Sequence, residues 1–568
     1  RGMAAEAARP LVVGARLLPA LQRLLLAGLL SGLKGALGLD VSVAAYGAKP
    51  NGRGYEALQR CTKAFRRALA DVAAAGGGVV RVPPGTYQVG PLNLTSHLVL
   101  WLAAGARLLA DTSKERLPLL PALESYGPSG GAKLQRQLRA LMRPRADLRD
   151  AIPRYQSLLY GQNLQNVTIT GENGTLDGQG EVWWKRWLNE PLYGRPHVIQ
   201  FERSRDIRLR NVTIRNPGFW SVHFWLCKYV TVQFVTVLVP VNPWVRPTNT
   251  DGINPDSSSH VLIEDSYLQT GDDAVAVKSG WDCFGRSVGA PSRNITIRRI
   301  VVRQTNGCNA AAVTVGSEMS GGVEDVLVED CHVTYAGVGV EVKVGIARGG
   351  FVRRVHVRNL TVQETTRGAL VVMAAYPEMN PFCSRASQPA PVVSGITFEN
   401  VRVTGPTRGY LVHLQGTPAV QLRDISLHGI RGRGSWKCAL VSGAASGNSP
   451  RACPELTPED GEVPARPEPL GWRNDGRCGQ AFPDGSGRPA RCPTPEEARA
   501  EAGEPQRAGM APWLQLAPCC GGSGWCGSAQ EHCQCRTCVD YRRVRPAPPS
   551  LGRPSPPAEA PSRRPLLP

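Results

Sequence analysis

The sequence of 568 residues predicts an all-β fold, a solenoid of the parallel β-helix type, followed by a small disulfide-rich C-terminal module. A phrase of Asn, a hydrophobic residue, Thr and another hydrophobic residue recurs, starting at Asn166, Asn211, Asn294 and Asn359. Hydrophobic anchors also recur at intervals of 34, 31 and 29 residues: Val261, Ile295, Val326 and Val355. A period of about 20–50 residues indicates stacked repeats, and short β-branched runs without intervening helices indicate coils of strands. A β-propeller is the alternative, but no blade motif is found.

Residues 1–40 are predicted to be a targeting segment. Their longest uncharged stretch, residues 24–33, has ten residues. This is too short for a membrane span of about 20 apolar residues, but it suits the apolar part of a signal peptide. An amphipathic organelle-targeting helix is the alternative. No other segment has the pattern of a transmembrane span, so none is expected.

Residues 41–435 are predicted to form the β-helix. Within them, residues 62–75 have the pattern of an amphipathic helix, which is expected to cap the first coil and cover the open end of the solenoid. Residues 111–158 are polar and poorly periodic, which indicates an inserted surface loop. Residues 436–475 are predicted to be a linker. Residues 541–568 contain nine Pro in 28 residues, which is typical of a disordered tail.

The chain is basic, with 66 Lys and Arg against 46 Asp and Glu and a formal net charge of +20. Such an excess is compatible with nucleic acid, an anionic membrane or an acidic polymer, but GC-rich codon bias produces it too. No nucleic-acid-reading motif is present, so no nucleic-acid partner is expected. Six Asn-x-Ser/Thr sites permit glycosylation of a secreted chain, although their Asn can equally form a turn before a strand. They begin at Asn93, Asn166, Asn173, Asn211, Asn294 and Asn359.

Two short phrases concentrate carboxylates, one with Asp251 and the other with Asp272 and Asp273. The 21 residues from Asp251 to Asp272 are close to one short coil, so stacking would bring the three acids together. Like charges raise one another's pKa, and glycoside hydrolysis uses such a set: one protonated acid, with ionised carboxylates to activate water. A bend at Gly271 would be needed to aim both members of the pair at one cleft. Turn capping or calcium binding is the alternative.

The surrounding phrases resemble those of glycoside hydrolase family 28, the polygalacturonases, in its plant and bacterial branch. The resemblance runs from Tyr46 to Ile430 and rests on Asn249-Thr250-Asp251-Gly252, Gly271-Asp272-Asp273, Val277-Lys278-Ser279-Gly280-Trp281-Asp282 and Gly316-Ser317-Glu318-Met319-Ser320-Gly321-Gly322.

This resemblance implies a right-handed parallel β-helix and inverting hydrolysis of α-1,4-linked galacturonic acid. Asp272 would then be the general acid, and Asp251 and Asp273 would hold and deprotonate the attacking water. No cofactor or metal is expected, because the acid and the bases perform the proton transfers.

The family's Arg-Ile-Lys triplet, which grips the substrate carboxylate, corresponds here to Glu341-Val342-Lys343. Lys343 is retained, whereas Glu341 replaces the Arg, and changing Glu341 to Arg is expected to lower the KM on polygalacturonate. The resemblance also implies four further candidate substrate-binding residues: Lys278, His223, Tyr376 and Arg348. Of these, Arg348 would substitute for the missing Arg. For His223 a packed, hydrogen-bonded position is the alternative.

Residues 476–540 contain eight cysteines, which indicate a disulfide framework and an oxidising compartment. They are Cys478, Cys492, Cys519, Cys520, Cys526, Cys533, Cys535 and Cys538. Zinc binding by the last three is the alternative. The phrase around Trp525 resembles a hevein-type chitin-binding module, which implies a possible chitin-like glycan partner. Trp525 would stack on sugar, and His532 stands where the family usually has Tyr.

The function predicted from the sequence is that of a secreted, monomeric hydrolase of pectin-type polysaccharide in the cell wall. Two alternatives remain open. One is a non-catalytic wall-binding protein that kept the β-helix, which Glu341 favours. The other is a hydrolase of another uronic-acid polymer, such as rhamnogalacturonan.

Overall fold

Successive coils of the chain stack in parallel, so that each strand pairs with the equivalent strand of the next coil. The computed structural model describes residues 38–127, 153–190, 193–242, 244–305, 308–377, 379–380, 382–383 and 389–458, and the backbone of short strands between residues 479 and 540. The strands between residues 39 and 458 form three faces, and several long strands turn a corner and contribute to two of them.

The first face contains Leu39–Ser42, Gly78–Val82, Leu98–Leu102, Gln165–Gly171, Arg205–Arg215, Lys228–Leu238, Ser259–Glu264, Ser292–Arg298, Val323–Glu329, Phe351–Val362, Val392–Val403, Leu422–His428, Val441–Ser446 and Thr457–Pro458. The second face continues several of these strands and adds Gly85–Val89, Ala106–Ala110, Gly174–Asp177, Tyr267–Gln269, Val301–Arg303 and the start of His332–Lys343.

The third face contains Leu92–Asn93, Leu159–Gln162, Ile199–Glu202, Val222–Trp225, Ile253–Asp256, Val275–Val277, Ala311–Gly316, the end of His332–Lys343, Thr365–Met373, Tyr410–Gln415 and Ser435–Ala439. A small antiparallel pair joins Leu119–Leu120 to Arg154–Tyr155. Helical elements among the described residues are the 3-10 turn Val43–Tyr46 and the helices α1 (Gly54–Ala74), α2 (Glu181–Asn189) and α3 (Asp282–Val288).

The hydrophobic anchors predicted from the period lie directly on one another. Val261 pairs with Ile295, Ile295 with Val326, and Val326 with Val355. All four side chains are buried in the continuous core. Each fully buried Val or Ile contributes about 1.5–3 kcal/mol of transfer free energy, so the column stabilises the stacking of coils. The prediction of a parallel β-helix is confirmed, whereas its right-handed sense remains a prediction.

The recurring Asn phrase begins at a corner of the solenoid. The non-glycine residues at one register position near the start of the first-face strands have φ between 54° and 58°: His97, Asn166, Asp206, Tyr229, His260, Asn294, Asp325, Arg354 and Asp424. This left-handed conformation is tolerated best by Gly, Asn and Asp, which explains why Asn recurs there. The interpretation of these Asn residues as turns that lead into strands is confirmed.

A second corner holds a ladder of amides. The Asn359 side chain donates to Asp330 at 3.1 Å and accepts from Asn400 at 2.8 Å. These hydrogen bonds join three successive coils. The glycosylation site at Asn359 therefore coincides with a side chain that is already used within the fold.

Helix α1 packs on the strands of the first coils and buries the predicted apolar face. It begins eight residues before the predicted start, at Gly54. The prediction of a helix at the N-terminal end of the solenoid is confirmed.

The structure differs from the predicted surface loop at residues 111–158. Ser125 and Tyr126 are buried, and the Tyr126 hydroxyl donates to Asp256 at 2.6 Å. Leu123 and Tyr126 pack against Trp220 and Trp225. This part of the segment is a packed cover of the third face, because its isolated apolar residues meet aromatics that are distant in sequence.

The solenoid also continues beyond its predicted end at residue 435. Strand Val441–Ser446 pairs with Leu422–His428, and a disulfide joins Cys438 to Cys453. The start of the predicted linker is therefore wrong. Its Pro, Gly, Ser and Glu content suggested a linker, but small residues also fit a strand whose partner supplies the pairing.

Residues 461–568 cluster as a second unit. Their described backbone contains the antiparallel pairs Gly479–Pro483 with Pro489–Ala490 and Cys519–Cys520 with Cys526–Gly527 and Val539–Asp540. The cysteine side chains of the predicted module, Trp525 and His532 lie outside the described residues. Among the helices that are described, none is both long and apolar enough to cross a membrane.

Candidate active site

The three predicted carboxylates meet at the beginning of two neighbouring strands of the third face. Ile253 and Val275 are register partners, and the Gly252 amide donates to the Asp273 carbonyl at 2.9 Å. Asp251 therefore lies one coil away from Asp273, as the spacing predicted. A side chain on Gly271 would meet Thr250 Oγ1 at 2.5 Å, so only glycine fits the tight approach that precedes the acidic pair.

Asp273 is in contact with two hydrogen-bond donors. Its Oδ2 lies 2.7 Å from Lys343 Nζ, and its Oδ1 accepts from the Ala311 amide at 2.8 Å. Both contacts stabilise the charged form of the carboxylate. Both oxygens of Asp273 therefore accept hydrogen bonds from groups on other coils.

Asp272 has a different environment. Its two oxygens accept from the Asn249 and Asp273 amides, each at 3.0 Å. Burial, followed by the charge of Asp273, raises the pKa of Asp272, although Lys343 and the Asp273 amide oppose this. Asp272 consequently keeps a proton to higher pH than a free carboxyl does. Two adjacent carboxylates with different environments can divide the acid and base roles.

Asp251 belongs to a buried ion network. Its carboxylate accepts a hydrogen bond from the side-chain amide of Asn254 at 3.0 Å and lies 3.5 Å from Lys278 Nζ. Lys278 Nζ is in turn 3.0 Å from the Glu318 carboxylate. Burial raises the pKa of Asp251; Lys278 opposes this, while Asp272 and Asp273 add to it. Burial would also raise the pKa of Glu318, but Lys278 and Arg348 lower it to about 2. Lys278 is therefore shared by two carboxylates, which fixes its position beside Asp251.

The sequence alone did not indicate roles for Glu318 or for Arg195, a cation near the cluster in addition to Lys278. Glu318 lies within one of the quoted family phrases, so its position offered a signal. Arg195 offered none. Its guanidinium donates to the Thr248 carbonyl and to Asn249 Oδ1, both at 2.9 Å, and stacks over Trp187. Burial lowers the pKa of Arg195 to about 9. This arginine holds the segment whose Asn249 amide binds Asp272.

Glu341 is fully buried, and its Oε1 lies 3.2 Å from Nη2 of Arg367 on the next coil. Burial raises the pKa of Glu341, against the effect of Lys343 and Arg367. Its other oxygen, Oε2, has no hydrogen-bond partner among the described residues. The family's Arg position is thus occupied by a buried acid, and Arg367 stands beside it. No spacing or motif in the sequence indicates that these two residues pair.

Two predicted substrate-binding residues are placed elsewhere. His223 is fully buried, with Nε2 3.0 Å from Asp256 and Nδ1 3.1 Å from Gln200, which corresponds to the packed alternative. Arg348 is also buried and donates to Asp282 at 2.8 Å and to Ser317 at 3.1 Å. Its guanidinium is used inside the fold, so Arg348 does not substitute for the missing Arg.

Lys278 and Lys343, in contrast, belong to the acidic cluster. Tyr376 is half-buried beside Lys343, with its ring centroid 5.9 Å from Lys343 Nζ. The Tyr376 amide donates to the Val344 carbonyl at 3.0 Å. The segment that follows is joined to helix α3 by the disulfide Cys283–Cys383. Tyr376 is therefore positioned at the same end of the cluster as Lys343.

Comparison with known proteins finds a matching family model and relatives among the polygalacturonases. Residues 147–450 match the family model of glycosyl hydrolases family 28. A probable polygalacturonase of Vitis vinifera is 35% identical over 413 residues, which are 70% of this chain and 78% of the relative. An endo-polygalacturonase of Pectobacterium parmentieri is 26% identical over 370 residues, 62% of this chain and 80% of the relative.

Solved structures share the fold. The exopolygalacturonase of Thermotoga maritima superposes with a TM-score of 0.58 at 24% identity and covers 72% of this chain and 91% of its own. The polygalacturonase of Erwinia carotovora gives a TM-score of 0.50 at 21% identity and covers 75% and 96%. At these identities the likeness establishes the architecture.

Proposed function

Because the chain belongs to family 28 of the glycosyl hydrolases, we propose that Asp272, Asp273 and Asp251 hydrolyse galacturonosyl linkages of pectin by an inverting acid–base mechanism. The chain is a polygalacturonase-type glycoside hydrolase. The observation that carries the assignment of roles is the contrast between two neighbouring carboxyls. Asp273 is neutralised by Lys343, whereas Asp272 has a raised pKa and no such cation in direct contact among the described residues.

In the proposed mechanism, Asp272 donates its proton to the glycosidic oxygen as the bond to the anomeric carbon breaks. Asp273 accepts a proton from the water that attacks the opposite face of the sugar. Asp251 holds that water together with Asp273. An inverting enzyme keeps acid and base about 6.5–9.5 Å apart to leave room for the water, and Asp251, one coil away from Asp272, can provide such a gap.

The test is hydrolysis by the full chain. We expect new reducing ends from polygalacturonate, and a product that first appears as the β-anomer, which proton NMR detects because inversion of an α-linkage gives the β-form. Release from rhamnogalacturonan but not from polygalacturonate would support the second substrate class. The absence of release from any pectic polymer would contradict the enzyme assignment and favour a wall-binding role.

The environment of Asp272 also predicts a pH effect of Lys343. Lys343 lowers the pKa of Asp272, so Lys343→Gln is expected to raise that pKa further. Since the acid must be protonated, the alkaline limb of the kcat/KM profile should move to higher pH in the variant, while the maximal kcat falls because Asp273 loses its cation. Lys185→Gln, an exposed helix position, is the control. An alkaline limb of the kcat/KM profile that is unchanged, or that moves to lower pH, would rule out this effect of Lys343 on Asp272.

We also propose that the protein is secreted and acts in the cell wall. Two disulfides within the solenoid, Cys283–Cys383 and Cys438–Cys453, support an oxidising compartment. The hevein-like module, its chitin-like ligand, glycosylation and a monomeric state remain predictions from the sequence.

A further inference from the structure

We propose that Arg367 is the cation that binds a substrate carboxylate, and that the buried carboxylate of Glu341 positions it. This inference rests on the proposed hydrolysis of a uronic-acid polymer and adds the residue that distinguishes a charged sugar from its neutral ester.

Arg367 is more accessible than the two lysines of the acidic cluster. The side chain of Lys278 is 4% exposed and that of Lys343 is 12% exposed, whereas that of Arg367 is 41% exposed. Lys278 and Lys343 also lie between or against carboxylates of the cluster. Their charge is therefore engaged within the protein. A polyanionic chain that approaches this part of the third face meets the guanidinium of Arg367.

The guanidinium is held from two sides. Its Nη2 lies 3.2 Å from Glu341 Oε1, and its Nη1 donates to the Asn309 carbonyl at 2.7 Å. Asn309 precedes Ala311, whose amide binds Asp273, by two residues. Arg367 is thereby connected to the water-activating carboxylate through a short stretch of backbone. A guanidinium has five N–H donors, so donors beyond these two contacts can bind a carboxylate.

Glu341 gives this arrangement its rigidity. An exposed Arg normally loses considerable rotamer entropy when it binds a ligand. A fully buried partner on the neighbouring coil restricts that freedom in advance, which lowers the entropic cost of binding. Glu341 Oε2 has no hydrogen-bond partner among the described residues, whereas Oε1 contacts Arg367. Arg367 is therefore also the direct ionic contact of this acid within the described part of the chain.

This geometry reverses one expectation from the sequence. An Arg at position 341 would lie in a buried site next to the Arg367 guanidinium, where two like charges destabilise each other. Glu341→Arg is therefore expected to weaken the fold around the site, and the lower KM expected from the family triplet no longer follows.

Binding can be measured without turnover in an Asp272→Asn background of the full chain, by calorimetry with trigalacturonate and with its methyl ester. Arg367→Ala is expected to reduce affinity for trigalacturonate about 10-fold or more, because a charge-assisted pair is lost, and to change affinity for the ester less than twofold. Arg367→Lys should recover part of the affinity. Arg358→Ala is the matched control, since Arg358 is 36% exposed and bonded to Glu329 on the first face.

Equal losses for both ligands, or no loss for either, would overturn the proposal. Failure of trigalacturonate to bind the Arg367-containing protein would overturn it as well. A wild-type protein that binds trigalacturonate through Arg367 but releases no reducing ends from any pectic polymer would instead refute the proposed hydrolysis. The two proposals therefore fail in different experiments.

Discussion

Replacement of Asp272 by Asn is expected to lower kcat on polygalacturonate by a factor of about 10²–10⁴, the usual contribution of a general acid. Asparagine retains the shape of the side chain, and its one oxygen can accept from either the Asn249 amide or the Asp273 amide, but it has no acidic proton for the leaving oxygen. Initial rates of reducing-end release, measured at the pH optimum of the wild type, test this expectation. The melting temperature should change little, because the substitution is isosteric and removes a charge from a buried acidic cluster.

A substrate with an activated leaving group separates the acid from the base. A nitrophenyl galacturonide needs little protonation, so Asp272→Asn should lose much less activity on it than on polygalacturonate. Asp273→Asn should lose activity on both, since the attacking water is still required. Asp325→Asn, at a half-exposed site on the first face, is the matched control. Equal losses of Asp272→Asn on the two substrates would contradict its role as the acid.

Replacement of Arg348 by Met is expected to lower the free energy of unfolding by about 3–5 kcal/mol. The Arg348 and Asp282 side chains are 1% and 0% exposed, so the variant leaves a buried carboxylate without its cation. Asp282 also accepts from the Asn380 amide, and Arg348 donates to Ser317. The loss therefore affects helix α3 and the segment after Tyr376 together. Urea unfolding followed by circular dichroism measures it.

Two controls define the cause of this effect. Arg358→Met removes an Arg from a more exposed pair and should cost no more than about 1 kcal/mol. The double variant Arg348→Met with Asp282→Asn should be more stable than Arg348→Met alone, because no buried charge remains unpaired. If the free energy of unfolding of Arg348→Met lies within about 1 kcal/mol of the wild-type value, the buried pair is not needed for stability.

The architecture was predictable because it depends on short-range periodicity. The recurrence of Val261, Ile295, Val326 and Val355 specified both the strands and the register of their stacking. The interval from Asp251 to Asp272 placed the acids together for the same reason. Strands of small residues, such as Val441–Ser446, carry no such pattern. Their pairing depends on the preceding coil, which is why the end of the solenoid was placed too early.

The remainder of the site could not be predicted, because it depends on side chains that meet across coils. Arg195 reaches Asn249 and Arg367 reaches Glu341, and neither pair has a characteristic spacing. The resemblance identified the position of Glu341 but not the partner that neutralises it. It also suggested His223 and Arg348 as substrate contacts, although both satisfy buried acids within the fold.

The stacking of coils also has a consequence for how such a site can diverge. Asp251, Asp273, Glu341 and Arg367 belong to four different coils, and each coil pairs with its neighbours along the backbone. A substitution in one coil leaves the backbone ladder of the others intact. The preference for a charged or an esterified sugar, set at Glu341 and Arg367, can therefore drift separately from the acids that break the bond. The solenoid is in this sense modular, and new specificities can be assembled one turn at a time.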